Sequence, residues 1–83
     1  MSDLATDLVA LIVDEVARTD EPVGPDTDLL LSGIVDSLGV VRIVHWLEER
    51  LGIDIDAADV TLDNFQTVDA MVDYASRRST AAA

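Results

Sequence analysis

Gly33-Ile34-Val35-Asp36-Ser37-Leu38-Gly39 is the stretch on which the reading of this chain turns. A flexible Ser32-Gly33 turn leads into an apolar pair, and an acidic residue and a serine then open a helix. Asp and Ser are both favoured helix-capping residues, so one account of Asp36-Ser37 is structural. A second account is chemical. The first turn of a helix presents free N–H groups and the positive end of its dipole, which suit a phosphate. A serine hydroxyl there is open to a modifying enzyme, and a phosphodiester formed on it is electrostatically tolerated.

From Ser37 the helix runs on with Leu38, Val41, Val44, Leu47 and Leu51 as its apolar positions, spaced 3, 3, 3 and 4. That spacing makes one helical face and predicts that these five residues turn inward. Gly52 ends the helix as a left-handed cap, with Arg50 complementing the dipole in the last turn. At 100° per residue this phase puts Arg42 and Glu49 on the opposite face, with His45 and Glu48 flanking.

Upstream, Leu4, Leu8, Leu11, Ile12 and Val16 step by 4, 3, 1 and 4, an amphipathic helix over Asp3 to Arg18 capped by Ser2 or Asp3. Thr19 to Asp28 holds Pro22, Gly24 and Pro25 among acidic residues and reads as a loop. Leu29-Leu30-Leu31 is an apolar anchor within this long connection. Downstream, Ile53 and Ile55 pack back, Asp56 caps a short turn from about Ala57 to Val60, and Phe65 plugs the core from a linker. Thr67 caps a last helix carrying Val68, Met71, Val72 and Ala75, with Arg77 and Arg78 at its end. The fold expected is all-α: a four-helix bundle with a long first loop and a short third helix. It forms one domain over 1–83, with an ordered core of about 3–78 and a flexible tail at 79–83.

Composition narrows the function. Seventeen acidic residues face five basic ones, all Arg, for a net charge of −12. Such a surface repels phosphate backbones, which argues against nucleic acid, and it is drawn to basic patches on other proteins. Cys is absent, so the chain offers no disulfide, thiolate nucleophile or Cys-metal site. Met1-Ser2-Asp3 is not the basic start of a signal peptide, and the longest apolar run, Leu8 to Val13, is far short of a membrane span. These features place the chain in the cytoplasm, away from membranes.

Two catalytic readings fail. Asp54-Ile55-Asp56 starts like a calcium loop, but Asp59 and Phe65 stand where that loop needs Gly and Glu, so no metal site is expected. The only histidine, His45, lies eight residues after Ser37 on the same helix, about 12 Å away along the axis, too far to act on its hydroxyl. A binding or carrier role fits better than an enzyme.

In their order and spacing these motifs resemble the acyl and peptidyl carrier protein family. Gly33 to Gly39 is similar to its attachment motif, with Asp36-Ser37-Leu38 at the centre. Leu47-Glu48-Glu49-Arg50-Leu51-Gly52-Ile53 resembles the end of its second helix. Asp63-Asn64-Phe65 followed by Thr67-Val68 resembles the entry to its last helix. The likeness spans roughly Leu4 to Ala75. It implies that Ser37 receives 4'-phosphopantetheine from coenzyme A through a separate Mg-dependent phosphopantetheinyl transferase, the hydroxyl attacking the β-phosphate. The arm then imports the thiol that the chain lacks and holds its cargo as a thioester. The resemblance also places Arg42 and His45, with Glu48 and Glu49 beside them, on the surface that docks partner enzymes.

Gly39, Val40 and Arg42 depart from the fatty-acid type, and the motif looks closer to discrete carriers of antibiotic pathways and to D-alanyl carriers. The expectation is a monomeric stand-alone carrier of an acyl or aminoacyl group for polyketide or nonribosomal-peptide assembly. A loading ligase or acyltransferase, and a ketosynthase or condensation-type enzyme, would be its partners. A fatty-acid or D-alanyl carrier is the alternative, and an unmodified acidic helical adaptor is the rival from another class.

Overall fold

The computed structural model describes residues 4–17, 20 and 22–82, with side chains described as far as Ser79. The order is α1 (Leu4–Leu11) running into a π turn (Ile12–Val16), α2 (Ser37–Leu51), a 3₁₀ turn (Ala57–Asp59), α3 (Leu62–Phe65) and α4 (Val68–Ala82). No strand occurs among the described residues, and the all-α bundle with a long first loop stands. The proposed caps Ser2 and Asp3, the helix end Arg18 and loop residue Thr19 lie outside the described residues.

The first helix changes its winding where a uniform α-helix was expected. Leu8, Ile12 and Val16 are all buried. Steps of four drift around an α-helix by about 40° each. The wider π turn, closed by the Ala17 N–H donating to the Ile12 carbonyl at 2.6 Å, takes back part of that drift and keeps all three in the core.

The phase of α2 is the main correction. Its buried residues are Gly39, Ile43 and Leu47, one row at steps of four, with Val40, Val44, Trp46 and Leu51 partly buried. Leu38 is 77% exposed and Val41 49%, so two of the five residues expected inside face outward. Gly39 explains the phase. A Cβ on it would lie 2.7 Å from Val16 Cγ1 and 2.8 Å from Val35 Cγ1. Only a glycine lets the start of α2 press against the end of the first helix, and that contact turns Ile43 and Leu47 inward.

The long loop is pinned, as the apolar anchor implied, with Leu31 the one member that does not join. Leu29, Ile34 and Val35 are buried, whereas Leu31 is 71% exposed. The Leu29 N–H donates to the Gln66 carbonyl at 2.8 Å, the Val35 N–H to the Leu29 carbonyl at 2.9 Å, and the Asp69 N–H to the Pro25 carbonyl at 2.9 Å. Asp28 Oδ1 accepts from the backbone N–H groups of Leu30 and Leu31, an Asx turn that bends the chain toward Ser32. Gly33 follows at φ 80°, a conformation that suits glycine.

Beyond α2 the sequence reads closely. Gly52 is left-handed at φ 65° and ψ 39°, as expected of the helix stop. Asp56 accepts from the Ala58 N–H and caps the 3₁₀ turn. Phe65 is fully buried, but it ends a separate helix capped by Thr61 rather than sitting in a linker. The Thr67 hydroxyl accepts from the Ala70 N–H at 3.1 Å and opens α4. That helix buries Val68, Met71, Tyr74 and Ala75 and continues to Ala82, past the end expected at Arg78.

Candidate functional site

Asp36, not Ser37, is the cap of α2. Its backbone is extended, and its Oδ1 accepts from the Gly39 N–H at 2.9 Å. Ser37 is therefore the first residue of the helix. Its side chain is exposed, and no described group hydrogen-bonds to its hydroxyl. The capping account of Ser37 is thereby removed. Its hydroxyl stands at the N-terminal end of a 15-residue helix, where the orphan N–H groups and the dipole favour an anion.

Beside Ser37 opens a groove of about 690 Å³. One side is formed by Leu30, Gly33 and Val35 of the loop. The start of α2 supplies Asp36, Ser37, Val40 and Val41, and the far wall is Val60, Thr61, Leu62 and Phe65. Asp36 is the only charged residue in this lining, and its carboxylate is turned to Gly39. Three of the exposed large apolar side chains, Leu38, Val41 and Leu62, belong to the groove lining or sit next to Ser37. A covalent arm at Ser37 fits this arrangement: the N–H groups at the start of α2 would favour its phosphate, and the apolar groove lies beside the attachment point.

The far wall is held from α4. Tyr74 donates its hydroxyl to Asp59 Oδ2 at 2.7 Å, and its ring packs against Phe65 at 5.8 Å between centroids, tilted by 51°. Asn64 Nδ2 donates to the Asp59 carbonyl at 2.9 Å, and Arg78 Nη2 to the Asp54 carbonyl at 2.6 Å. Burial, then the hydrogen bond to Asp59 and the charges of Asp59 and Asp56, push the Tyr74 hydroxyl from 10.0 up to about 12, against a smaller opposing pull from Arg78.

A folded-state pKa raised above the unfolded one gives stability that is present below pH 10 and lost between pH 10 and about 12. Lys and Cys are absent and Tyr74 is the only tyrosine, so no other side chain's ordinary pKa falls in that window. Urea midpoints should therefore fall across it for the parent chain and stay level for Tyr74→Phe. Parallel falls in both proteins would remove Tyr74 as the cause.

The other sequence-predicted surface residues divide. Arg42, His45 and Glu49 line a second, shallow groove of about 300 Å³ with Leu11, Glu15 and Trp46. Arg42 Nη2 lies 2.8 Å from Glu15 Oε1, with both side chains more than half exposed. Arg42 and Glu15 thus form a screened surface pair that contributes well under about 1 kcal/mol. Glu48 is half-buried and accepts from the Ile55 N–H at 2.8 Å, so it braces the chain after α2 instead of facing outward with Glu49. Sequence reasoning missed Tyr74, Asp59 and the groove wall. The signal was a single tyrosine four residues before Arg78 on an otherwise amphipathic helix.

Among the described residues no cluster of His, Cys, Asp or Glu is placed to hold a metal ion, and no helix is long and apolar enough to cross a membrane. The phosphopantetheine attachment site family matches residues 6–75. The D-alanyl carrier protein of Streptococcus gordonii is 31% identical over 62 residues, covering 75% of this chain and 78% of the relative. That of Streptococcus mutans is 28% identical over 65 residues, covering 78% and 82%. With a helical fold, an exposed serine opening a capped helix and a family match across most of its length, the chain belongs to the phosphopantetheine-binding carrier proteins, whose cofactor is a covalently attached 4'-phosphopantetheine.

Proposed function

We propose that the arm is attached to Ser37 and that the chain carries a small aminoacyl group on it, of the D-alanyl kind. The observation that carries the attachment point is the exposed Ser37 at the head of α2 beside an apolar groove, its hydroxyl bonded to no group among the described residues. When bound, the arm supplies a thiol to a chain that has no cysteine and holds the cargo as a reactive thioester. The chain's own residues hold and present. Asp36 fixes the first turn of α2, Gly39 seats that turn against Val16 and Val35, and the helix end would favour the negative charge of the phosphate. Catalysis belongs to partners: a transferase that installs the arm and a ligase that loads it. We place the chain in the cytoplasm as a monomer.

The cargo class is supported by the D-alanyl carriers among its relatives, which cover three quarters of the chain. It replaces the acyl emphasis of a polyketide pathway while keeping the aminoacyl thioester, the form that nonribosomal condensation enzymes also take. The test is to install the arm with a broad-specificity transferase and then add D-alanine, ATP and a D-alanine-activating carrier ligase. One alanyl group should be gained per chain and released by hydroxylamine, and Ser37→Ala should gain none. A second reading, a longer apolar acyl group, is favoured by the groove. Its lining includes Val40, Val41, Val60 and Leu62 and no basic residue. Transfer of octanoate by an acyl ligase with no transfer of D-alanine would decide for it.

A further inference from the structure

We infer that Tyr74 and Asp59 form a latch that sets the far wall of the groove and so governs how well a group on the Ser37 arm is sheltered. The inference rests on attachment at Ser37, and not on which cargo is native.

The wall from Asp59 to Phe65 is the end of a 3₁₀ turn followed by a four-residue helix, and its own hydrogen bonds are all short-range, Thr61 N–H and Asn64 Nδ2 to the Asp59 carbonyl and Asn64 and Phe65 N–H to Thr61. Val60, Thr61 and Leu62 face the groove, and Leu62 is 42% exposed. Phe65 pins the end of this segment in the core, but its head, Asp59 to Leu62, has no fully buried side chain and lies at the low end of local stability. What fixes that head converges on Asp59. Its carboxylate accepts from Tyr74, its carbonyl accepts from Asn64 Nδ2 and from the Thr61 N–H, and its N–H donates to the Asp56 carbonyl. Tyr74 is 6% exposed and anchored in α4, the longest element packed behind the wall. Its ring supports Phe65, which lines the groove, while its hydroxyl holds the residue at the head of the wall. One side chain therefore ties both ends of the groove wall to the same rigid helix. Releasing the hydroxyl alone frees the wall without disturbing the ring packing. Asp59 and Tyr74 are positioning residues, since neither lines the groove.

The experiment uses the full chain loaded with a probe. The parent, Tyr74→Phe, Asp59→Ala and Asp59→Asn are each loaded from octanoyl-coenzyme A, or from acetyl-coenzyme A, by a broad-specificity transferase, and mass confirms one arm per chain. Hydroxylamine then cleaves the thioester, and the rate reports exposure of its carbonyl. The octanoyl group presents an apolar chain to the groove, and the acetyl group does not. Tyr74→Phe and Asp59→Ala should cleave the octanoyl thioester roughly fivefold faster than the parent, the population shift of one lost net hydrogen bond. Asp59→Asn keeps an oxygen acceptor for the tyrosine and should stay at the parent rate. Acetyl thioesters should cleave alike in all four. Equal octanoyl rates in all four proteins, or acetyl rates rising in step with octanoyl, would overturn the latch. Failure of the parent to take the arm would overturn attachment at Ser37 instead, and mass reads that before any rate is measured.

Discussion

Phe65→Ala should cost about 3–5 kcal/mol of stability, the range for emptying a fully buried aromatic site. Phe65 is completely buried, packs on Tyr74 at 5.8 Å and forms part of the far wall of the groove. It ends a helix of only four residues, so its burial rather than local helix propensity holds α3 in place. A chain of 83 residues has a total stability of roughly 4–12 kcal/mol, so the loss removes a large share of it. Phe65→Leu keeps most of the apolar volume and should cost under about 1.5 kcal/mol. Urea unfolding followed by circular dichroism measures both. An unchanged midpoint for Phe65→Ala would mean that α3 contributes nothing to the cooperative core.

Much of the framework is legible in the sequence because its signals are local. Gly52 stops α2, Asp56 and Thr67 cap the elements that follow them, and Phe65 is the only large aromatic between α2 and α4; each is a short-range effect with one residue to carry it. The phase of α2 is different. Its sequence offers two apolar rows, Leu38-Val41-Val44 and Gly39-Ile43-Leu47, and counting side chains favours the first. The second row faces the core because glycine at its head allows close approach to Val16, a tertiary contact that no periodicity records. The π turn is of the same kind, since it adjusts three residues to a core that the first helix alone does not define.

That same misreading bears on the site. An apolar surplus on one helix means a second apolar surface, and here it is the exposed Leu38 and Val41 beside Ser37, with Val41 in the groove lining. The candidate Ser37 can be proposed from its local motif, but the groove beside it cannot, because its wall comes from more than twenty residues downstream and is held by Tyr74 from α4. The partner of Arg42, Glu15, comes from twenty-seven residues earlier, a pairing that no local pattern records.

Ser37→Ala should abolish loading completely while leaving the fold intact. Asp36 does the capping, so removing the Ser37 hydroxyl loses no hydrogen bond among the described residues and should change stability by no more than about 0.5 kcal/mol. Asp36→Ala, by contrast, removes the cap and should cost about 1 kcal/mol. The pair separates the chemistry of residue 37 from the architecture of residue 36. The most direct measurement is intact mass, with peptide mapping, after incubation with coenzyme A, Mg and a broad-specificity phosphopantetheinyl transferase. The parent should gain one phosphopantetheine on Ser37 and the Ser37→Ala chain none. An arm on Ser2, Ser32, Ser76 or Ser79, or an arm gained by Ser37→Ala, would contradict the account.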